Sequence, residues 1–374
     1  MSRVSRRPCF RAISMRINFI TAGFGLSGGT KAIFEFANNL TDRGHQVSVI
    51  CSLTPFVFAG KWFNYGNIAT KTLRLFKKSK GCKIPVEWFD VKAKLLCLPS
   101  FSERYIPDGD VIVATWWETA YFVAKYGISK GKKFYLAQDF ETWAGREKEV
   151  KKSYNLGLKN IVNSKWLKNT LEKEAGAKVE AVILHAPDHN QFYPEEKNQE
   201  NNRREFRILI PYRDEARKGT KYGIEAFKIV KEKHPDIKLV MFGQKQEGLD
   251  FYGLENEVEY HLAPVKDDLR RLYNSCGIFC YPAIEDGFGM PPMEAMACGI
   301  PVVATNAGAI TEYASHGETA LISPPGDTEA MAKNIIELME NEGERKRLAA
   351  NALLRIKQFS WEEAARQLEQ VFRK

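Results

Sequence analysis

A chain of 374 residues, 44% hydrophobic and 27% charged, is long enough for two domains with their own cores and too mixed for a fibrous or disordered protein. Seven cysteines, odd in number and without a CxxC pair, argue against a disulfide framework and a cysteine metal site and point to a reducing, cytoplasmic compartment. No apolar run reaches the ~18 residues needed to span a bilayer, so no transmembrane helix is expected. The net charge of +9 is uneven: residues 1–200 carry 31 Lys and Arg against 19 Asp and Glu, an excess of +12, and residues 201–374 carry −3. A basic first half fits an anionic partner surface. Membrane lipid, nucleic acid and plain solvation are all compatible with that charge alone.

Residues 1–14 are basic and lack the apolar core of a secretory signal, so they are expected to fray, with order beginning at Met15. MRINFITA then reads as a first strand. It is followed by Gly23-Phe24-Gly25-Leu26-Ser27-Gly28, a GxGxxG between strand and helix. A dinucleotide fingerprint would need an acid about 20 residues later, at the end of the second strand. That strand, QVSVI, runs into Cys51-Ser52-Leu53 instead. The loop with Gly28 and Gly29 therefore reads as a phosphate- or sugar-facing turn feeding a helix N-terminus.

Residues 56–80 set Phe56, Phe58, Trp62, Phe63 and Tyr65 before Lys71, Arg74, Lys77, Lys78 and Lys80. Two readings stand: a segment lying in an anionic membrane interface, or a solvated basic helix packed by its aromatics. Asp110 to Thr115 and Phe134 to Ala137 read as strands. Their carboxyl ends, Trp116-Trp117-Glu118 and Gln138-Asp139-Phe140-Glu141, are expected to face a cleft. Gln138 cannot act as a base but can donate to a sugar hydroxyl or phosphate. Short strands are also expected at 160–164 and 181–184. His185 and His189 stand four apart, but Pro187 disfavours the helix that would align them on a metal. Residues 195–205 lack any apolar side chain and read as an interdomain linker.

The strand–helix alternation restarts at Arg207. Arg213 and Lys218 flank the turn after that strand; an arginine fork and a lysine point charge suit a diphosphate, with Arg217 a neighbouring alternative. GIFCYPAI then stops at Glu285 and Asp286, and Gly287-Phe288-Gly289 forms a glycine loop. Pro291-Pro292 opens a short helix that places Glu294 in its first turn, and Cys298-Gly299 ends it. IPVVAT and the small-residue loop NAGAI follow. Helices are expected over 327–352, with a last one starting at Ser360.

The run from Asp286 through Gly287-Phe288-Gly289 to Glu294 and Ala295-Met296-Ala297 resembles the signature of the nucleotide-sugar glycosyltransferases of family 4. Asp286 stands where that family usually has glutamate. Gly28-Gly29-Thr30, Arg43-Gly44-His45, the Arg213/Lys218 pair and the exit His185-Ala186-Pro187-Asp188 resemble the same family. Gln138-Asp139 replaces its usual His-Asp pair and looks more like some bacterial rhamnosyltransferases.

The resemblance implies an α/β GT-B fold: two Rossmann-like domains, 15–194 on the acceptor side and 206–358 binding the nucleotide sugar, with 359–374 crossing back. It implies transfer of a sugar from a nucleoside-diphosphate donor to a glycan or lipid-linked acceptor hydroxyl of the cell envelope, with retention of configuration. The implied roles are Glu294 on the ribose, Asp286, Gly287, Phe288 and Gly289 on the sugar, Arg213 and Lys218 on the diphosphate, and Gly28 and Gly29 facing them. Gln138 and Asp139 would lie on the acceptor side. No metal or other cofactor and no nucleic-acid partner is expected; a peripheral membrane location is compatible. A sugar-nucleotide 2-epimerase, a nicotinamide dehydrogenase and a non-catalytic glycan-binding module are the competing classes.

Overall fold

Strands that are apolar along their whole length belong in parallel sheets covered on both faces, and VIVA at 111–114 and IFCY at 278–281 are buried throughout. A computed structural model describes residues 13–53, 86–195, 206–245 and 258–374. The aromatic–basic stretch 56–80, nearly all of the N-terminal segment expected to fray and nearly all of the expected linker lie outside the described residues.

In the first domain β1 (Arg16–Ile20) leads through α1 (Gly28–Asp42) to β2 (Gln46–Ser52) and on to β3 (Lys94–Leu98). Then come β4 (Val111–Ala114), α2 (Trp117–Lys125), β5 (Lys132–Ala137), α3 (Glu147–Ser153), β6 (Lys159–Val162), α4 (Lys165–Ala175) and β7 (Val179–Val182). The sheet order is β3-β2-β1-β4-β5-β6-β7, with all pairs parallel.

The second domain contains β8 (Arg207–Pro211), α5 (Thr220–Lys233), β9 (Lys238–Gly243), β10 (Val258–Leu262), α6 (Lys266–Asn274) and β11 (Ile278–Tyr281). It continues with α7 (Met290–Ala297), β12 (Val302–Thr305), α8 (Ile310–Tyr313), β13 (Leu321–Ser323), α9 (Thr328–Glu340), α10 (Glu342–Ile356) and α11 (Trp361–Arg373). Its parallel order is β10-β9-β8-β11-β12-β13. Strand order reverses between β1 and β4 in one sheet and between β8 and β11 in the other. A crevice at the carboxyl ends of the strands opens at such a switch point.

Local chemistry sets the helix ends that border these crevices. Ser27 caps α1 by accepting from the Thr30 amide at 3.1 Å, and Ser360 caps α11 from the Glu363 amide at 3.2 Å. α11 lies on the first domain: Trp361 meets Phe36 edge-on at 5.2 Å, Phe372 packs on Phe134 at 4.9 Å, and Glu369 holds Arg43. Fully burying each such ring stabilises by about 1.5–3 kcal/mol, so this helix ties the chain's end to its beginning.

Two expectations are corrected. Of the strand exit Trp116-Trp117-Glu118, Trp117 and Glu118 do not line the cleft, because Thr119 accepts from the Thr115 and Trp116 amides and starts α2 there, whereas the partly buried Trp116 sets its ring 5.5 Å from that of Trp143. Trp117 and Glu118 are consequently buried. Glu294 lies in the second turn of α7, not the first, because the helix begins one residue early at Met290 behind Gly289. Its position therefore owes little to the helix dipole, which acts within the first turn.

Candidate functional site

The turn after β8 is locked before it carries any charge. The Arg213 amide donates to Thr220 Oγ1 at 3.1 Å, and that hydroxyl donates back to the Arg213 carbonyl at 2.8 Å. Gly219 has φ +69° and packs so tightly that a Cβ would collide with the Pro282 carbonyl. The Ile284 and Glu285 amides both donate to the Arg217 carbonyl, at 2.8 and 2.9 Å. The β8 turn and the β11 loop are thereby stitched together at the switch point.

This stitching brings Lys218 Nζ to 2.9 Å from Asp286 Oδ1. Tyr281 donates its hydroxyl to the other oxygen, Asp286 Oδ2. Burial works to raise the Asp286 pKa, but Lys218 and the Tyr281 hydroxyl outweigh it and hold the carboxyl below its ordinary range. Arg213 Nη1 donates to the Tyr212 carbonyl at 2.9 Å, and its charge acts on the Tyr281 and Tyr273 hydroxyls that hold Asp286 and Glu294.

The first domain supplies the opposite wall. Lys31, on the first turns of α1, reaches Glu294 Oε1 at 2.8 Å, and Tyr273 donates to Glu294 Oε2 at 3.0 Å. The Lys31 and Glu294 side chains are only 12% and 8% exposed. Gly28 faces Met290, and the Gly29 carbonyl accepts from Gln138 Nε2 at 3.2 Å. Gly287 packs against Gln138 and Asp139 so closely that a Cβ would strike the Gln138 carbonyl. Asp139 Oδ2 pairs with Arg217 Nη1 at 2.9 Å. Burial raises the Asp139 pKa, Arg217 opposes the rise, and the charge of Asp286 adds to it.

The structure thus gathers Gly28, Gly29, Gln138, Asp139, Arg213, Lys218, Asp286, Gly287, Gly289 and Glu294 along one cleft. The Phe288 side chain points elsewhere, buried between His185 and Tyr313 at 4.9 and 5.6 Å, so this residue offers the cleft only its backbone. Glu141 also turns inward, accepting from the Trp117 amide and the Tyr135 hydroxyl. Sequence reasoning missed Lys31 and Tyr273. Lys31 follows the glycine loop by less than one helical turn, which was the available signal; Tyr273 gave none. His189 bonds the Phe359 carbonyl at 2.9 Å, and neither ring nitrogen of His185 has a protein partner. Among the described residues no group of three or more His, Cys, Asp or Glu is placed to hold a metal, and no helix is long and apolar enough to cross a membrane.

Behind this wall, on α1, Glu35 is buried with Oε1 unpartnered. Burial, then the charge of Asp188, pushes its pKa up to about 8, against Lys31. A raised carboxyl stabilises fully below its unfolded value of 4.5, and that contribution is lost as pH rises through about 8. Burial holds His185 down at about 3, so its contribution is present above 6.5 and lost as pH falls towards 3. Glu35→Gln should therefore unfold in denaturant with a stability that no longer falls between pH 5 and 9. The gain at the alkaline end should be on the order of a few kcal/mol. Parallel pH profiles for variant and parent would contradict this.

Residues 193–355 match the family profile described as glycosyl transferases group 1. The chain is 37% identical over 101 residues to the O-antigen chain mannosyltransferase B of Escherichia coli, covering 27% of this chain and 26% of that one. It is 30% identical over 156 residues to the capsular polysaccharide biosynthesis glycosyltransferase CapM of Staphylococcus aureus, covering 39% and 41%. The chain thus spans well under half the length of these curated relatives. Among solved structures, Anabaena HepE in complex with UDP and glucose superposes with TM-score 0.73 at 20% identity, over 96% of this chain and 100% of that one. The sucrose-phosphate synthase of Thermosynechococcus elongatus gives 0.71 at 17%, over 96% and 98%. The fold is the GT-B arrangement of two Rossmann-like domains.

Proposed function

Because residues 193–355 match the glycosyl transferases group 1 profile, we propose that the chain transfers a hexosyl or deoxyhexosyl group from a nucleoside-diphosphate sugar to an acceptor hydroxyl, with retention of configuration. The observation that carries this reading is the convergence of Arg213, Lys218, Asp286 and Glu294 at the β8/β11 switch point, faced by the glycine loop of α1. In this reading the donor's ribose takes the place of Lys31 at Glu294 Oε1, while Tyr273 keeps the other oxygen oriented. Asp286, Gln138 and the amides around Gly287 and Gly289 hold the sugar.

Arg213 and Lys218 neutralise the diphosphate as charge grows on it in the transition state. The departing diphosphate helps to take the acceptor proton on the same face, so no dedicated base is required. With those cations in place, sugar transfer is expected to persist in excess EDTA; loss of activity restored by magnesium or manganese would show that a metal takes their part.

The acceptor side is the first domain, whose half of the chain holds the +12 excess. That suits a glycan on an anionic lipid carrier, met at the cytoplasmic membrane face and used for the cell envelope. Equal sedimentation with neutral and anionic vesicles would remove the membrane from this reading. A thermal-shift panel of nucleoside-diphosphate sugars tests the donor, because a ligand bound only by the native state raises Tm. At least one is expected to stabilise where free sugars do not; a shift with NAD alone would favour the dehydrogenase class.

A further inference from the structure

Arg217 belongs to the second domain but is held by the first. Its Nη1 lies 2.9 Å from Asp139 Oδ2, and its guanidinium stacks over the Trp143 ring at 4.4 Å. Trp143 Nε1 donates to the same Asp139 oxygen at 3.1 Å, and Asp139 Oδ1 accepts from the Phe140 amide at 2.9 Å. The Arg217 and Asp139 side chains are only 15% and 16% exposed, and Arg217 Nε is buried without a hydrogen-bond partner. The next residue, Lys218, holds Asp286. Two adjacent cations on one turn thus each carry a carboxylate, one from each domain. They do so in the place where the proposed donor would put two adjoining phosphates.

A phosphate and a carboxylate are alternative partners for the same guanidinium fork. Asp139 and Asp286 already interact unfavourably through their charges, and a diphosphate beside them would sharpen that repulsion. We propose that Arg217 is a further diphosphate ligand and that Asp139 is its built-in competitor, occupying the fork when no nucleotide is bound and displaced when the donor arrives. Displacement opens the Asp139–Arg217–Trp143 clasp between the domains and leaves a free carboxylate on the acceptor side. This rests on the nucleotide-sugar reading above.

An ordinary interdomain ion pair makes the opposite forecast, because losing it would loosen the cleft and weaken binding or leave it unchanged. Calorimetric titration of the full chain with UDP, GDP and inorganic pyrophosphate separates the two. Asp139→Asn keeps a side-chain oxygen for the Phe140 amide and should bind these ligands roughly tenfold more tightly than the parent, even if its Tm falls. Trp143→Leu, at a ring 44% exposed, loosens the clasp without removing a charge and should shift affinity the same way by less. Arg217→Gln should weaken binding, and in the Asp139→Asn background it should erase the gain, because both changes act on one pair. Unchanged or weaker binding by both Asp139→Asn and Trp143→Leu, with a parent that binds, overturns the competitor alone. A parent that binds none of the three ligands overturns this inference and the donor reading together.

Discussion

Lys218→Met should lower the rate of sugar transfer by about 10²–10³-fold at saturating donor, the loss seen when one preorganised donor to a developing anion is removed. Lys218 stands on a turn stitched to the β11 loop by two backbone hydrogen bonds and a glycine, so its charge needs no reorganisation to meet the diphosphate. Its 2.9 Å pair with Asp286 also couples catalysis to the fold. Removing Lys218 strands an ionised carboxylate, so a stability loss of about 1–3 kcal/mol should accompany the lost rate. Single-turnover kinetics beside a melting curve separates the two. Arg213→Ala should also slow transfer, and the double variant should be less damaged than the two single effects combined, because both cations serve one group. Wild-type turnover in the Lys218 variant would remove it from the site.

Glu294→Gln should weaken donor binding by roughly 10- to 100-fold, the value of a charge-assisted hydrogen-bond pair at about 1.5–3 kcal/mol. Glutamine is the informative change. It removes the charge, and with it the ion pair to Lys31, yet keeps the side chain's size and an oxygen that accepts from Tyr273, whereas alanine would lose those as well and leave a void in a nearly dry cleft. The effect should fall on donor affinity rather than on the rate at saturation, because ribose binding is shared by ground and transition states. Donor affinity unchanged in a calorimetric titration would contradict the ribose role.

Much of this molecule is legible in its residues because the relevant signals are local. Ser360 announces a helix start and caps it as expected, and the glycine loop announces the helix that Ser27 caps. The apolar runs at 111–114 and 278–281 announce buried parallel strands. The eight-residue spacing from Asp286 to Glu294 places an acid on each side of a glycine loop. What stayed hidden depends on distant partners. Lys31 and Glu294 are 263 positions apart, and neither helix alone says that the other faces it. Asp139 could be placed at a strand's end, but its pairing with Arg217 required both domains in position. Trp117 and Glu118 misled because the carboxyl end of a parallel strand is where a cleft is expected, whereas the Thr119 hydroxyl starts a helix there and both are buried. The same tertiary view weakens the competing classes. β2 ends at Ser52 without the acid a dinucleotide ribose needs, and His185, a conceivable partner in epimerase chemistry, is sealed among Phe36, Phe288 and Trp361.

The central claim is sugar transfer from a nucleoside diphosphate, and it is tested most directly by following that diphosphate's release. The chain is incubated with each donor that stabilises it, alone and with a lipid-linked glycan fraction from bacterial envelopes, and both the freed nucleotide and the anomeric configuration of the new linkage are measured. Nucleoside diphosphate released in step with a product that keeps the donor's configuration is the expected result. Donors that bind but release nothing with any acceptor fraction, or a product of inverted configuration, would contradict it.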